Sequence, residues 1–224
     1  MLTQLKRRPF YFIVIFAFIC CSAVISLLVP KQLSFEYLNQ YHNNWMDSFF
    51  IRYTCLGDGL VSVLAVLVLL FTRKYKAAVL LLAAFSSSGL LACLFKNFFS
   101  LPRPRLYFEQ LHIVYSNFID GITLSNNSSF PSGHTASAFA MATVIVLLSH
   151  KKAATSIAMI AALLVAYSRM YLGQHFLPDI TAGAFLGIVC TMVSYYIIYQ
   201  KQVTIKAFRK NKYSMNQEIS PQWN

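Results

Sequence analysis

Charge is scarce in this chain, and negative charge is scarcest. Only 12% of the 224 residues are charged, and only seven are Asp or Glu. A soluble domain carries about 25% charged residues. That shortage, with 57% hydrophobic residues, excludes an ordinary soluble enzyme and a disordered chain. Cysteines are few, and Cys20, Cys21, Cys55, Cys93 and Cys190 all lie in apolar stretches without metal-ligand spacing. They read as buried thiols acting as small hydrophobes, so neither a disulfide framework nor a zinc site is expected. There is no internal repeat and no low-complexity segment.

Long apolar runs take the place of charge. A membrane-crossing helix needs about 20 mostly apolar residues. Residues 10–29, 55–72, 77–95, 131–149, 153–170 and 180–199 supply six candidates. Lys6, Arg7 and Arg8 before the first run resemble the start of a signal peptide. The run is too long for one, and Leu28-Val29-Pro30 offers no small-residue cleavage site, so an uncleaved helix is expected.

The basic residues orient these runs. Thirteen of the 19 lie in the N-terminus, the loops after the second and fourth runs, and the tail. The positive-inside rule makes that side cytoplasmic. Six of the seven acids fall on the other side, with only Glu218 in the tail. The net charge of +12 is therefore a topology signal, and no nucleic acid is required as a partner.

In the first outer segment, 30–54, Phe35, Leu38, Trp45, Met46, Phe49 and Phe50 recur at near-helical spacing, which predicts a helix lying in the interface. The expected fold is all-α: a polytopic membrane protein with a six-transmembrane-helix bundle and that interfacial helix in the first outer loop. Residues 1–200 form the membrane domain, and 201–224 form a basic cytoplasmic tail. Gly183 and Gly187 form a small-residue pair suited to close helix packing. Asn126 and Asn127 fit glycosylation sequons by chance.

Three short strings carry chemistry, and this topology puts all of them on the outer side. They are Lys96 to Arg103-Pro104, Pro131-Ser132-Gly133-His134, and Ser168-Arg169 through His175 to Asp179. Lys96, Arg103 and Arg169 are costly beside a bilayer unless an anion pairs with them. Arginine forks match phosphate oxygens, and lysine adds a point charge. Pro131 reads as a first helical residue. It places the Ser132, Gly133 and His134 N–H groups in an exposed first turn, where unpaired donors and the helix dipole bind anions.

His175 and Asp179 stand four apart at the start of the last helix. There a carboxylate keeps one imidazole nitrogen protonated and leaves the other to attack. His134 is free to protonate a leaving oxygen. Asp58, next to Gly57, reads as a helix cap, and Arg105, Glu109 and His112 have no assigned role. Phe98, Phe99, Tyr107 and Phe108 suit either an entrance for the ligand's chain or interfacial anchoring.

The strings resemble the signature of the type-2 phosphatidic acid phosphatase family, which groups with the vanadium haloperoxidases. Its pattern, K-x6-RP, PSGH and SR-x5-H-x3-D, is matched at every position by Lys96, Arg103-Pro104, Pro131-Ser132-Gly133-His134, Ser168-Arg169, His175 and Asp179. The resemblance implies that His175 attacks phosphorus and carries a phosphohistidine, that Asp179 orients it and that His134 protonates the leaving group. It implies that Lys96, Arg103, Ser132, Gly133 and Arg169 hold the phosphate.

It further implies no metal and no cofactor, which agrees with the lack of a carboxylate cluster suited to magnesium. The partner implied is a membrane lipid phosphate in the bilayer: phosphatidic acid, phosphatidylglycerol phosphate, undecaprenyl pyrophosphate or a lipid A phosphate. The setting implied is a bacterial inner membrane, with the site extracytoplasmic and both termini cytoplasmic. Activity is expected to follow a bell-shaped pH profile requiring neutral His175 and protonated His134. Oligomeric state is not legible.

Three rivals make different demands. A transporter needs ionisable groups in mid-span, whereas these gather at outer helix ends. A haloperoxidase on the same anion site is expected to be soluble. A catalytically inactive lipid-phosphate-binding protein has no need of intact His134, His175 and Asp179.

Overall fold

The structure is a computed structural model that describes residues 9–119, 121–122 and 128–201. Lys6, Arg7, Arg8, the sequon residues Asn126 and Asn127, and almost all of the 201–224 tail lie outside the described residues. Among the described residues all regular structure is helical. The helices are α1 (Pro9–Leu28), α2 (Lys31–Leu38), α3 (Asn44–Tyr53), α4 (Gly59–Phe71), α5 (Tyr75–Phe99), α6 (Pro104–Gln110), α7 (Gly133–Leu148), α8 (Lys152–Tyr171) and α9 (Leu177–Tyr195). A 3₁₀ turn, Thr54–Gly57, joins α3 to α4, and a π turn, Tyr196–Lys201, extends α9.

Among the described residues four helical stretches are long and apolar enough to cross a membrane: Pro9–Leu28, Tyr75–Gln110, Lys152–Tyr171 and Leu177–Gln200. A fifth is the pair Asn44–Gly57 and Gly59–Phe71, bent by 52° at Asp58. α7 is apolar but has only 16 residues, roughly 24 Å at 1.5 Å per residue. Large apolar side chains on the peripheral helices point outward, with Phe71 87% and Leu27 85% exposed. Cys21, Cys55 and Cys93 are exposed too, and only Cys190 is buried. The expected burial of the thiols therefore holds for one of five.

α7 is the centre of the bundle. It packs against α9, α8 and α5. From Thr135 to Leu147 every residue but Met141 and Ile145 is buried. Lipid is as apolar as leucine, so such helices associate through close van der Waals contact between small residues. Ala136, Ala138, Ala140 and Ala142 of α7 supply that contact, with Gly183 and Gly187 of α9. A Cβ added at Gly183 would lie 2.5 Å from the Ser132 carbonyl oxygen, and one at Gly187 2.4 Å from that of Ala136. Gly183→Val is expected to cost about 1–3 kcal/mol through overpacking. Thermal unfolding in detergent checks this, and an unchanged midpoint would mean that α7 and α9 are not so close.

Two expectations change in the fold. The second apolar run is not one helix: Asp58 ends the 3₁₀ turn and caps α4, accepting from the Leu60 N–H at 3.0 Å. The capping role read from the sequence is present. The bend arises next door, because Gly57 packs on α7: a Cβ there would lie 2.8 Å from the His134 carbonyl oxygen. The first outer segment is also two helices, not one. Asn43 starts the second by accepting from Met46 N–H at 2.9 Å.

Candidate active site

α7 begins within the PSGH string, two residues later than the sequence suggests. Gly133, not Pro131, is its first helical residue, and Ser132 is the N-cap. The Ser132 Oγ accepts from the Thr135 hydroxyl at 2.9 Å and from the Thr135 N–H at 3.4 Å. The Ser132 N–H is donated to the Asp179 carbonyl at 3.0 Å, so this donor is not open to a ligand as expected. The first-turn donors left are those of Gly133 and His134, both half-buried. A Cβ added at Gly133 would meet nothing within 4 Å, so open space lies off this end of the helix.

The third string is shaped by the end of α8. Gly173 adopts φ +64°, the left-handed region where glycine carries no Cβ penalty. The chain then folds back, and the Gln174 and His175 N–H groups both bond to the Arg169 carbonyl, at 2.9 and 3.2 Å. Asn39, from beyond α2, donates its amide to the Met170 and Tyr171 carbonyls at 2.9 and 2.7 Å. That fills acceptors a helix C-terminus leaves open. The turn delivers His175, 2% exposed, beside Asp179, 3% exposed, with Nδ1 and Oδ2 3.5 Å apart. The same Oδ2 accepts from the Phe176 N–H at 2.8 Å and the Ser129 hydroxyl at 2.5 Å.

Burial is the largest influence on His175 and pushes its pKa down to about 3. Asp179 opposes this, while the Arg169 and Arg103 charges add to it. Burial outweighs the carboxylate and favours the neutral imidazole, because it disfavours charge.

The cations come from three segments. Arg169 is buried in the last turn of α8, and its Nη1 donates to Thr54 Oγ1 of the 3₁₀ turn at 2.8 Å. Its Nε is buried with no hydrogen-bond partner. Arg103, also buried, precedes α6 and donates to Gln174 Oε1. Lys96 is half-buried in the last turn of α5, and its charge interacts with those of Arg103 and Arg169. The charges of all three reach His134. Like charges brought this close are costly unless opposite charge offsets them.

Four residues here escaped the sequence reading. Gln174 stands inside the third string, beside His175, and its position was the available signal. Ser129 lies two residues before Pro131; Thr54 and Asn39 have no local signal. Of the unassigned residues, Arg105 bonds to the Ile119 carbonyl at 3.3 Å, and Glu109 and His112 are exposed. Phe108 is 1% exposed and packs with Phe35 and Phe176, so it does not line an entrance. Phe98 is 80% exposed at the end of α5.

This helical bundle, with basic and histidine side chains gathered at one end, belongs to the PAP2 superfamily, whose family match spans residues 76–202. Phosphatidylglycerophosphatase B of Bacillus subtilis is 28% identical over 74% of this chain and 80% of its own. An undecaprenyl-diphosphatase of Sulfolobus acidocaldarius is 26% identical over 85% of this chain and 92% of its own. The crystal structure of Aquifex aeolicus LpxE aligns with a TM-score of 0.58 and 33% identity, covering 71% of this chain and 91% of that one. With four or five apolar spans, the chain is an integral membrane protein.

Proposed function

We propose that this protein is a membrane lipid phosphatase that removes phosphate from a lipid phosphomonoester or pyrophosphate through a phosphohistidine. The observation that carries this reading is the meeting of a buried, neutral His175 with Arg103 and Arg169 at the open N-terminus of α7.

Lys96, Arg103, Arg169 and the Gly133 and His134 N–H groups hold the phosphate oxygens. Ser132 reaches them through its own hydroxyl proton, since its N–H is engaged. His175 Nε2 attacks phosphorus while Nδ1–H rests on Asp179. The bond from phosphorus to the lipid oxygen breaks, and His134 protonates that oxygen. Water then attacks phosphorus, gives its proton to His134, and the P–N bond breaks to release inorganic phosphate. Preorganised donors aimed at the developing charge are worth about 10²–10³ in rate each. No metal or cofactor enters these steps.

The charge asymmetry supports a six-span chain with an extracytoplasmic site, cytoplasmic termini and a 201–224 tail on the cytoplasmic side, as in a bacterial inner membrane. α7, fourth in chain order, completes the six. The substrate is one of the four lipids that the resemblance implies. The undecaprenyl-diphosphatase and phosphatidylglycerophosphatase relatives make undecaprenyl pyrophosphate and phosphatidylglycerol phosphate the first to try.

Purified protein in detergent with EDTA is expected to release phosphate from at least one of phosphatidic acid, phosphatidylglycerol phosphate, undecaprenyl pyrophosphate and lipid A. Vanadate, a mimic of five-coordinate phosphorus, is expected to compete. Activity lost with EDTA and restored by a divalent cation would sink the metal-free mechanism. Release from none of the four would favour a lipid-phosphate-binding role.

A further inference from the structure

We propose that Ser129 is a positioning residue for the His175 imidazole: it fixes the Asp179 carboxylate that holds the ring. This inference rests on the reading of His175 as nucleophile and adds to it a residue outside the three signature strings.

Ser129 is 1% exposed. Its N–H is donated to the Leu101 carbonyl at 2.8 Å, which ties it to the segment between Lys96 and Arg103. Its Oγ therefore has a fixed origin. From there it donates to Asp179 Oδ2 at 2.5 Å and lies 3.4 Å from His175 Nδ1. Oδ2 thus faces three groups. The Phe176 N–H at 2.8 Å and the Ser129 hydroxyl are the close ones, and Nδ1 is farther, at 3.5 Å. A main-chain donor and a buried hydroxyl set where Oδ2 sits, and Oδ2 sets the plane of the ring.

The arrangement has a chemical consequence. A buried carboxylate is stable as an anion when neutral donors satisfy it. Two such donors satisfy Oδ2 without calling on His175, whose attacking lone pair stays available. Without the Ser129 hydroxyl, Oδ2 turns to the nearest remaining proton source, His175, and the imidazolium gains. The other charges near this pair are Arg169 of α8 and Arg103 before α6, which face His175. Lys96 of α5 and Lys31 of α2 reach Asp179, and His134 of α7 lies in the same cup. All but Asp179 itself are basic groups, so none replaces the hydroxyl as a neutral donor.

The test compares Ser129→Ala, Ser129→Thr and Ser129→Cys with the intact protein on the best lipid substrate. Ser129→Ala is expected to lower kcat about 10- to 100-fold, the worth of one charge-assisted hydrogen bond, with little change in KM. Its kcat/KM relative to wild type, a ratio in which substrate ionisation cancels, is expected to fall further as pH drops. The acid limb is expected to move up by about one unit. Ser129→Thr keeps the hydroxyl and is expected to recover most of kcat and the original limb. Ser129→Cys, a weaker donor of similar size, is expected to fall between. Vanadate affinity and the thermal midpoint report on the cup.

A lower midpoint with an unmoved acid limb would make Ser129 a packing residue and overturn the proposal. So would a Ser129→Ala protein, or Ser129→Cys if that one alone folds, with wild-type kcat and limb. If His175→Ala keeps its activity, the nucleophile reading fails first and this inference goes with it. A dead His175→Ala beside a fully active Ser129→Ala would remove this inference alone.

Discussion

Replacing His175 by alanine is expected to abolish phosphate release, with kcat down at least about 10⁴-fold, the scale on which loss of a nucleophile acts. The expectation follows from what surrounds the ring. Burial holds it neutral, down to a pKa of about 3. An imidazole whose folded pKa lies so far below the ordinary 6.5 stays unprotonated, and able to attack, as pH falls through the usual histidine range. The acid limb of kcat/KM should therefore lie below about pH 5 once substrate ionisation is allowed for. The covalent step leaves its own mark. A phosphoryl group trapped by alkaline quench during turnover should be found on the wild type and not on His175→Ala. The variant should still bind vanadate weakly, because Arg103, Arg169 and Lys96 remain. Turnover or phosphoenzyme surviving the substitution would end the mechanism.

His134→Ala is expected to lower kcat on a lipid phosphate by about 10²–10⁴-fold, the usual contribution of a positioned acid. The loss should depend on the leaving group. A lipid alcohol departs badly as an alkoxide and needs a proton. p-Nitrophenolate departs unaided, so on p-nitrophenyl phosphate the deficit in the first step should shrink, and phosphoenzyme should accumulate because water attack now lacks its base. An equal deficit on both substrates would show that His134 serves packing or binding. Its surroundings make that a real alternative, because a Cβ at Gly57 would come within 3.0 Å of the His134 Cβ.

Much of the fold is legible in the chain because uncharged runs end where charge begins. α1, α8 and the start of α9 fall within a few residues of the apolar stretches that predict them. The cap at Asp58 is legible, but the 52° bend beside it is not, because it depends on how closely the 3₁₀ turn approaches His134 on another helix. The division of the first outer segment depends on Asn43, a cap that apolar spacing does not reveal.

The site divides in the same way. His175 and Asp179 are neighbours one helical turn apart, and their contact could be anticipated from spacing. Arg103 and Gln174 meet only because α6 and the α8–α9 turn share one end of the bundle. Ser132 departs most from expectation: its N–H bonds to the Asp179 carbonyl, a partner 47 positions away that no local pattern names.

The shortness of α7 bears on how a lipid is met. A span of roughly 24 Å cannot reach both edges of a hydrocarbon layer about 30 Å thick. If its far end sits at the inner boundary, its first turn is sunk some ångströms beneath the outer one. A headgroup then has to dip only slightly to deliver its ester oxygen, and its tails never leave oil for water. A soluble phosphate ester has no such anchor and must find the depression by diffusion alone. Tail-bearing and tail-less substrates should thus differ mainly in encounter, with the chemistry after capture much the same.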